Sequence, residues 1–370
     1  KELENVSRDA NDQILRTFRI AISTDGEYTQ HWDDGNAGNG DAQDDALAQV
    51  VSTLNRNNEV FEVDMAITFQ LVTGTELIFP NPSSDPYTGS PNSQLQSTLT
   101  SIVGEANYDI GHLFSKDSKN GNAGCIGCVC VDNQKGSAFS AHDFLDNDGG
   151  PFMADFFDID YVPHEIGHQM GALHTHAVAD NNAVNFEPGS GTTIMGYAGI
   201  TGSNDIQDHS DPYFHYGSIN QIMNNVTNVR TCWTSTVITN NPPVANAGND
   251  YTIPAGTAYV LKGAATDPDG GDVLTYTWEQ IDDGITTTGN VGPTLANGPG
   301  WRSRPPSTNP NRYMPILSRV IAGELTETSP TETVNNTSWE TVSTVSRNLN
   351  FALTVRDRSE ANGTGQFPQS

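Results

Sequence analysis

The segment His164-Glu165-Ile166-Gly167-His168-Gln169-Met170-Gly171-Ala172-Leu173-His174 constrains this chain more than any other. On a helix, His164 and His168 lie one turn apart on the same face, so two imidazoles can meet one metal ion. Glu165 falls on the neighbouring edge of that face, within reach of a water at the metal. Gly171 lets the chain leave the helix through a left-handed conformation. His174 then arrives as a third ligand. Three protein ligands leave one position open, which separates a catalytic zinc site from a structural one closed by four. A bare His-Glu-x-x-His arises by chance in roughly one chain in a hundred of this length, and the added Gly171 and His174 lower that about a thousandfold.

A methionine follows in a tight turn, Thr193-Ile194-Met195-Gly196-Tyr197. The pairing of zinc motif and Met-turn is similar to the metzincin clan. Neighbouring residues most resemble secreted bacterial reprolysin-like, adamalysin-related metallopeptidases. Arg16 to Tyr28 resembles the first strand of such domains, Tyr108 to Ser115 followed by Gly124 to Cys130 the strand bordering the cleft, and Ile194 to Gly199 followed by Tyr213 to His215 the Met-turn and the wall after it. The resemblance spans about residues 13 to 235. Thr175 departs from it, because adamalysins carry Asp directly after the third ligand.

The resemblance implies a secreted zinc endopeptidase acting on protein or peptide substrates. His164, His168 and His174 would hold Zn²⁺, and Glu165 would serve as general base and then general acid. Met195 would form an apolar floor under the imidazoles. Tyr197 stands where astacin-like and serralysin-like members carry a tyrosine that ligates zinc or donates to the oxyanion; a wall tyrosine is the plainer reading. Residues 123–129 would be the sheet edge that takes substrate as an added strand. An inhibitory propeptide is a further expected partner. The reading from another class is a silent adhesin on the same scaffold, disfavoured because none of the four motif residues is replaced.

The chain has 370 residues and two domains are expected, 1–236 and 241–370. Period-two and helical patterns alternate through the first: strands at 16–24, 60–72, 108–115 and 124–131, and helices at 42–56, 94–104, about 158–171 and from about Ser218. That is an α/β (α+β) catalytic domain with a mixed sheet and an active-site helix. Residues 236–243 read as a proline-ended linker. Beyond it, Thr-, Gly- and Pro-rich runs such as Val273 to Trp278 and Leu349 to Val355 predict an all-β Ig-like sandwich. Pro243 to Asp250 and Ala265 to Asp272 resemble polycystic-kidney-disease-like modules.

Net charge is −28, which excludes nucleic acid as a partner class and disfavours anionic membranes. No apolar run approaches the length of a membrane span. A monomer is expected. Four cysteines, Cys125, Cys128, Cys130 and Cys232, allow three pairings, and Cys125-x-x-Cys128 also has zinc-ligand spacing. The resemblance implies Cys130 with Cys232 and Cys125 with Cys128, and disulfide use implies an extracellular setting.

Acidic clusters at Asp143, Asp146 and Asp148, and again at 155–160, are candidate Ca²⁺ sites or else solvated turns and caps; Asp267, Asp269 and Asp272 share that ambiguity. The remaining histidines, His31, His112, His142, His176, His209 and His215, read as structural or surface residues, with His176 the one expected nearest the site.

Overall fold

The computed structural model describes residues 10–145, 155–180, 182–331 and 336–358. The chain opens with β1 (Ile14–Thr24), then α1 (Gly26–Trp32), α2 (Ala42–Met65) and β2 (Ile67–Leu71). Next come α3 (Pro91–Ile102), β3 (Ile110–Lys116), β4 (Asn120–Asn122) and β5 (Ala138–His142). A π-helical turn at Phe157–Tyr161 leads into α4 (Val162–Met170), followed by α5 (Tyr216–Asn228) and β6 (Thr234–Val237).

The sheet runs β2-β1-β3-β5-β4, with β6 also on β1. β1, β2, β3 and β5 are mutually parallel, while β4 and β6 pair antiparallel, so the sheet is mixed. Parallel neighbours need long crossovers, and α2 and α3 supply two of them. α2 begins in a capping box of Asp41 and Asp44 and buries Val50, Leu54, Phe61 and Met65. These join Phe18, Ile20 and Ile22 of β1 and Ile166 and Met170 of α4 in one core. α4 is therefore anchored in the same core as α2 and β1.

Three expectations need correction. Residues 60–65 continue α2 rather than starting a strand, because Val60, Phe61 and Met65 extend its buried face; the helix stops only at Ala66, with φ 50°. Residues 124–131 form turns, not a strand: Gly124 and Gly127 have φ of 71° and 68°, and the Cys125–Cys128 disulfide closes the loop. The sheet edge is instead the short β4. Finally, Thr236 and Val237, expected to begin the linker, end β6, which pairs with Ile14 to Thr17. The second disulfide joins Cys130 and Cys232 across 102 residues.

The C-terminal part comprises β7 (Val244–Asn246), β8 (Tyr259–Lys262), β9 (Ala264–Thr266), β10 (Val273–Gln280), β11 (Asn311–Met314), α6 (Leu317–Ala322) and β12 (Phe351–Arg358). Among the described residues these make three two-stranded ladders: β10 with β12, β8 with β11, and β7 with β9. They lie directly against the first 240 residues. The Arg356 guanidinium meets the Asp64 carboxylate of α2 at 2.5 Å, both side chains buried. Ile206, Val291 and Trp339 form a small shared apolar cluster. No helix among the described residues is long and apolar enough to cross a membrane.

His112, in the middle of β3, is fully buried with Nε2 2.9 Å from the Ser140 hydroxyl. Burial holds its pKa down at about 3. Because the folded value lies below the unfolded one, His112 favours the fold fully above pH ~6.5 and loses that contribution as pH falls towards 3. Unfolding free energy should drop by on the order of 3 kcal/mol from this group between pH 7 and pH 4. Denaturant titrations of the parent and His112→Gln at both pH values check this; equal losses in the two proteins would rule it out.

Candidate active site

α4 presents the motif because Pro163 sits in its first turn, where a missing N–H does no harm, and because Gly171, with φ 119°, caps it in the left-handed region. Gly167 has a different purpose. A Cβ there would stand 2.6 Å from the Met195 sulfur. Only glycine lets the Met-turn press so closely under the helix, and Met195 is fully buried. Met195 is thus packed directly against the helix that carries His164 and His168.

The three histidines converge. Their available nitrogen atoms all lie within 4.8 Å of one another, with His168 Nε2 and His174 Nε2 2.9 Å apart. Each Nδ1 is engaged elsewhere. His164 Nδ1 is 2.7 Å from the Ile194 carbonyl, His168 Nδ1 is 2.7 Å from the Ala172 carbonyl, and His174 Nδ1 is 2.5 Å from Asp180 Oδ2. Carbonyl and carboxylate oxygens only accept, so each Nδ1 carries the proton and each Nε2 lone pair is free to face the centre. Burial and the neighbouring imidazoles hold His164 well below the usual histidine range, and burial holds His168 at about 4. Imidazoles with fixed tautomers and converging lone pairs are the donor set zinc takes. The residues fit the ion.

Glu165 lies at the edge of this triad, 8 % exposed. Burial pushes its carboxyl up to about 8, partly opposed by a hydrogen bond from the Ala123 backbone N–H. Gly121 of β4 passes directly over it, since a Cβ at Gly121 would lie 2.3 Å from Glu165 Oε1. A glycine in the edge strand is thus what admits the carboxylate to the cleft. That cleft, about 900 Å³, is bordered by Asn120 to Ile126 on the strand side and by Gly196 to Ile200 on the Met-turn side.

Tyr197 is half-buried, its ring 5.7 Å from that of His164 and 4.4 Å from that of His174. Burial, then the charges of Asp180 and Glu165, push its hydroxyl up to about 12. His176 is indeed beside the site, stacked on Tyr197 at 4.4 Å, with Nε2 3.5 Å from Asp180 Oδ2. His209 reaches the cleft from the other wall, paired with Asp160 at 2.7 Å. His142, the last residue of β5, also lines the cleft.

Two residues escaped the sequence reading. Asp180 is the carboxylate behind His174, six residues on in an irregular loop that carries no periodic signal. Glu187 is fully buried and collects Thr175 Oγ1 at 2.6 Å, Thr193 Oγ1 at 2.5 Å and the Thr192 N–H at 3.0 Å. It ties the residue after His174 to the start of the Met-turn. Thr175, the departure from the adamalysin pattern, supplies the donor for this carboxylate. The only hint in sequence is the hydroxyl at Thr175 where a carboxylate was expected.

The acidic clusters are mostly engaged by protein groups. Asp155 pairs with Arg56 at 2.6 Å, Asp158 accepts from Thr53, and Asp160 accepts from His209 and Ser210. Asp143 accepts from the Leu145 N–H, while Asp146 and Asp148 lie outside the described residues. Asp267 and Asp272 approach Asp357, whereas Asp269 turns to Asn241.

Residues 14–226 match the family model described as metallo-peptidase family M12B, reprolysin-like. No curated protein matches the chain. The match covers more than half of the residues, and the chain belongs to the reprolysin-like M12B metallopeptidases.

Proposed function

From that membership, we propose that the chain is a secreted endopeptidase of the metzincin type that cuts proteins or peptides, with zinc held by His164, His168 and His174. The observation that supports this most is the set of three Nε2 atoms freed by three engaged Nδ1 atoms, with the Glu165 carboxylate beside them. Zinc bound there supplies polarisation of the scissile carbonyl and acidification of a water molecule.

The chain's own residues do the rest. Glu165 accepts a proton from the attacking water as the new C–O bond forms. It returns that proton to the amide nitrogen as the C–N bond breaks, so the amine leaves neutral. Its buried setting suits both directions of transfer. Tyr197 donates its hydroxyl proton in a hydrogen bond to the oxygen that gains charge at the carbonyl. The free edge of β4 receives the substrate backbone as an added antiparallel strand, which reads no side chains. The wall from Tyr197 to Ile200 shapes the pocket that does.

The test is cleavage-site profiling on a proteome-derived peptide library, with and without a chelator. Chelator-sensitive cuts within peptides support the reading; no cuts from the zinc-loaded protein overturn it. For Tyr197→Phe, kcat should fall about 100-fold with KM nearly unchanged, as loss of an oxyanion donor does. Full kcat in that variant would make Tyr197 a wall residue.

A further inference from the structure

The family match ends at residue 226, yet the loop that follows the third histidine is completed by residues far beyond it. Residues 175–177 and 187–189 run side by side: the Glu187 N–H bonds to the Thr175 carbonyl and the Ala177 N–H to the Gly189 carbonyl. A third segment lies against them. The Thr286 N–H donates to the Ala177 carbonyl, and the Thr286 carbonyl accepts from the Gly189 N–H, each at 2.8 Å. Gly284 N–H reaches the Asn185 carbonyl, and Asp283 Oδ1 accepts from the Asn185 N–H at 2.9 Å. Asn185 in turn donates from its side chain to the His176 carbonyl at 2.6 Å. Thr192, which also bonds to Glu187, reaches the Ser303 carbonyl at 3.3 Å.

Packing agrees with the hydrogen bonds. Gly189 is so close to the Trp339 ring that a Cβ would stand 2.9 Å from it. Ser190 and Thr193 are fully buried although they belong to connecting segments. Loops of this length are ordinarily exposed and mobile. This one is held on one side by the helix and on the other by the C-terminal part.

We infer that residues 283–304 are a positioning element of the metal site, bracing the loop that carries His174 and the Met-turn. The inference rests on the zinc reading above, but the brace itself is independent of it. The path is short: Thr286 and Asp283 hold Ala177, Asn185 and Gly189, and Glu187 passes the restraint to Thr175, next to His174, and to Thr193, two residues before Met195. The C-terminal part is then a component of the peptidase site and not a removable appendage. Its residues touch neither substrate nor metal; they act through the loop.

The experiment uses the full chain. Thr286→Pro removes the N–H given to Ala177 while leaving the carbonyl, and the double variant Asp283→Ala/Thr288→Val removes the side-chain contacts to Asn185 and Asn204. Tyr251→Ser, at an 82 % exposed position, is the control. Amide exchange across 175–192 is followed in the zinc-free proteins, and transfer of zinc to a chromogenic chelator in the loaded ones. Both brace variants should exchange faster in that window and release zinc about tenfold faster or more, with the control matching the parent. Folded variants with parental exchange and parental zinc release would overturn the inference. Should Thr286→Pro fail to fold by circular dichroism, the double variant decides. A parent chain that holds no zinc would sink the zinc reading alone, since exchange in 175–192 still reports on the brace.

Discussion

Glu165→Gln lowers kcat by about a thousandfold while zinc content stays at the parental level. The amide matches the carboxylate in shape, so β4 still passes over it through Gly121 and the Ala123 N–H still finds an oxygen. What disappears is the ability to accept and return a proton. Metal content by atomic emission and turnover on a quenched peptide separate the two effects. Retained turnover would show that the proton moves through another group, and His209 with Asp160 across the cleft would be the next pair to test. Loss of zinc together with activity would show that the carboxylate serves the metal instead.

Asp64→Ala should destabilise the whole chain by about 3–5 kcal/mol, the range for stranding one member of a buried ion pair. Arg356 is fully buried, and besides Asp64 it has the Thr277 hydroxyl at 2.9 Å. Asp64 also accepts from the Phe214 N–H at 2.6 Å through its second oxygen. Its removal therefore leaves two buried donors at once. Arg356→Met in the same chain should recover much of the loss, because the uncompensated charge goes with it. Denaturant midpoints of the single and double variants decide; a single variant within about 1 kcal/mol of the parent would mean that water reaches the pair.

The candidate metal ligands were legible because chemistry at fixed spacing leaves a mark that packing does not blur. His164, Glu165, His168 and His174 all come from short-range order, and the structure brings the three imidazoles within 4.8 Å of one another with Glu165 on the wall of the same cleft. β1, α3 and α5 were legible for a similar reason, since period and caps are local. What failed was whatever depends on partners distant along the chain. Val60 to Met65 is apolar enough for a buried strand, and only the core that it meets makes it helix. Residues 124–131 carry strand-forming Ile and Val, but two glycines with positive φ and a disulfide turn them aside. Asp180 and Glu187 sit in an irregular loop, where nothing short of three dimensions says which donors they meet. The contacts of Asp283 and Thr286 with that loop are a hundred residues removed from it and could not be read locally.

Asp64 and Arg356 are separated by 292 residues. A chain that emerges from its N-terminus forms α2 long before its partner exists, and until then the carboxylate must stay in water. β12 therefore supplies the counter-charge under which an early helix can be sealed. Order in time is written into the position of one arginine, and the interior around Asp64 closes only when β12 has been made.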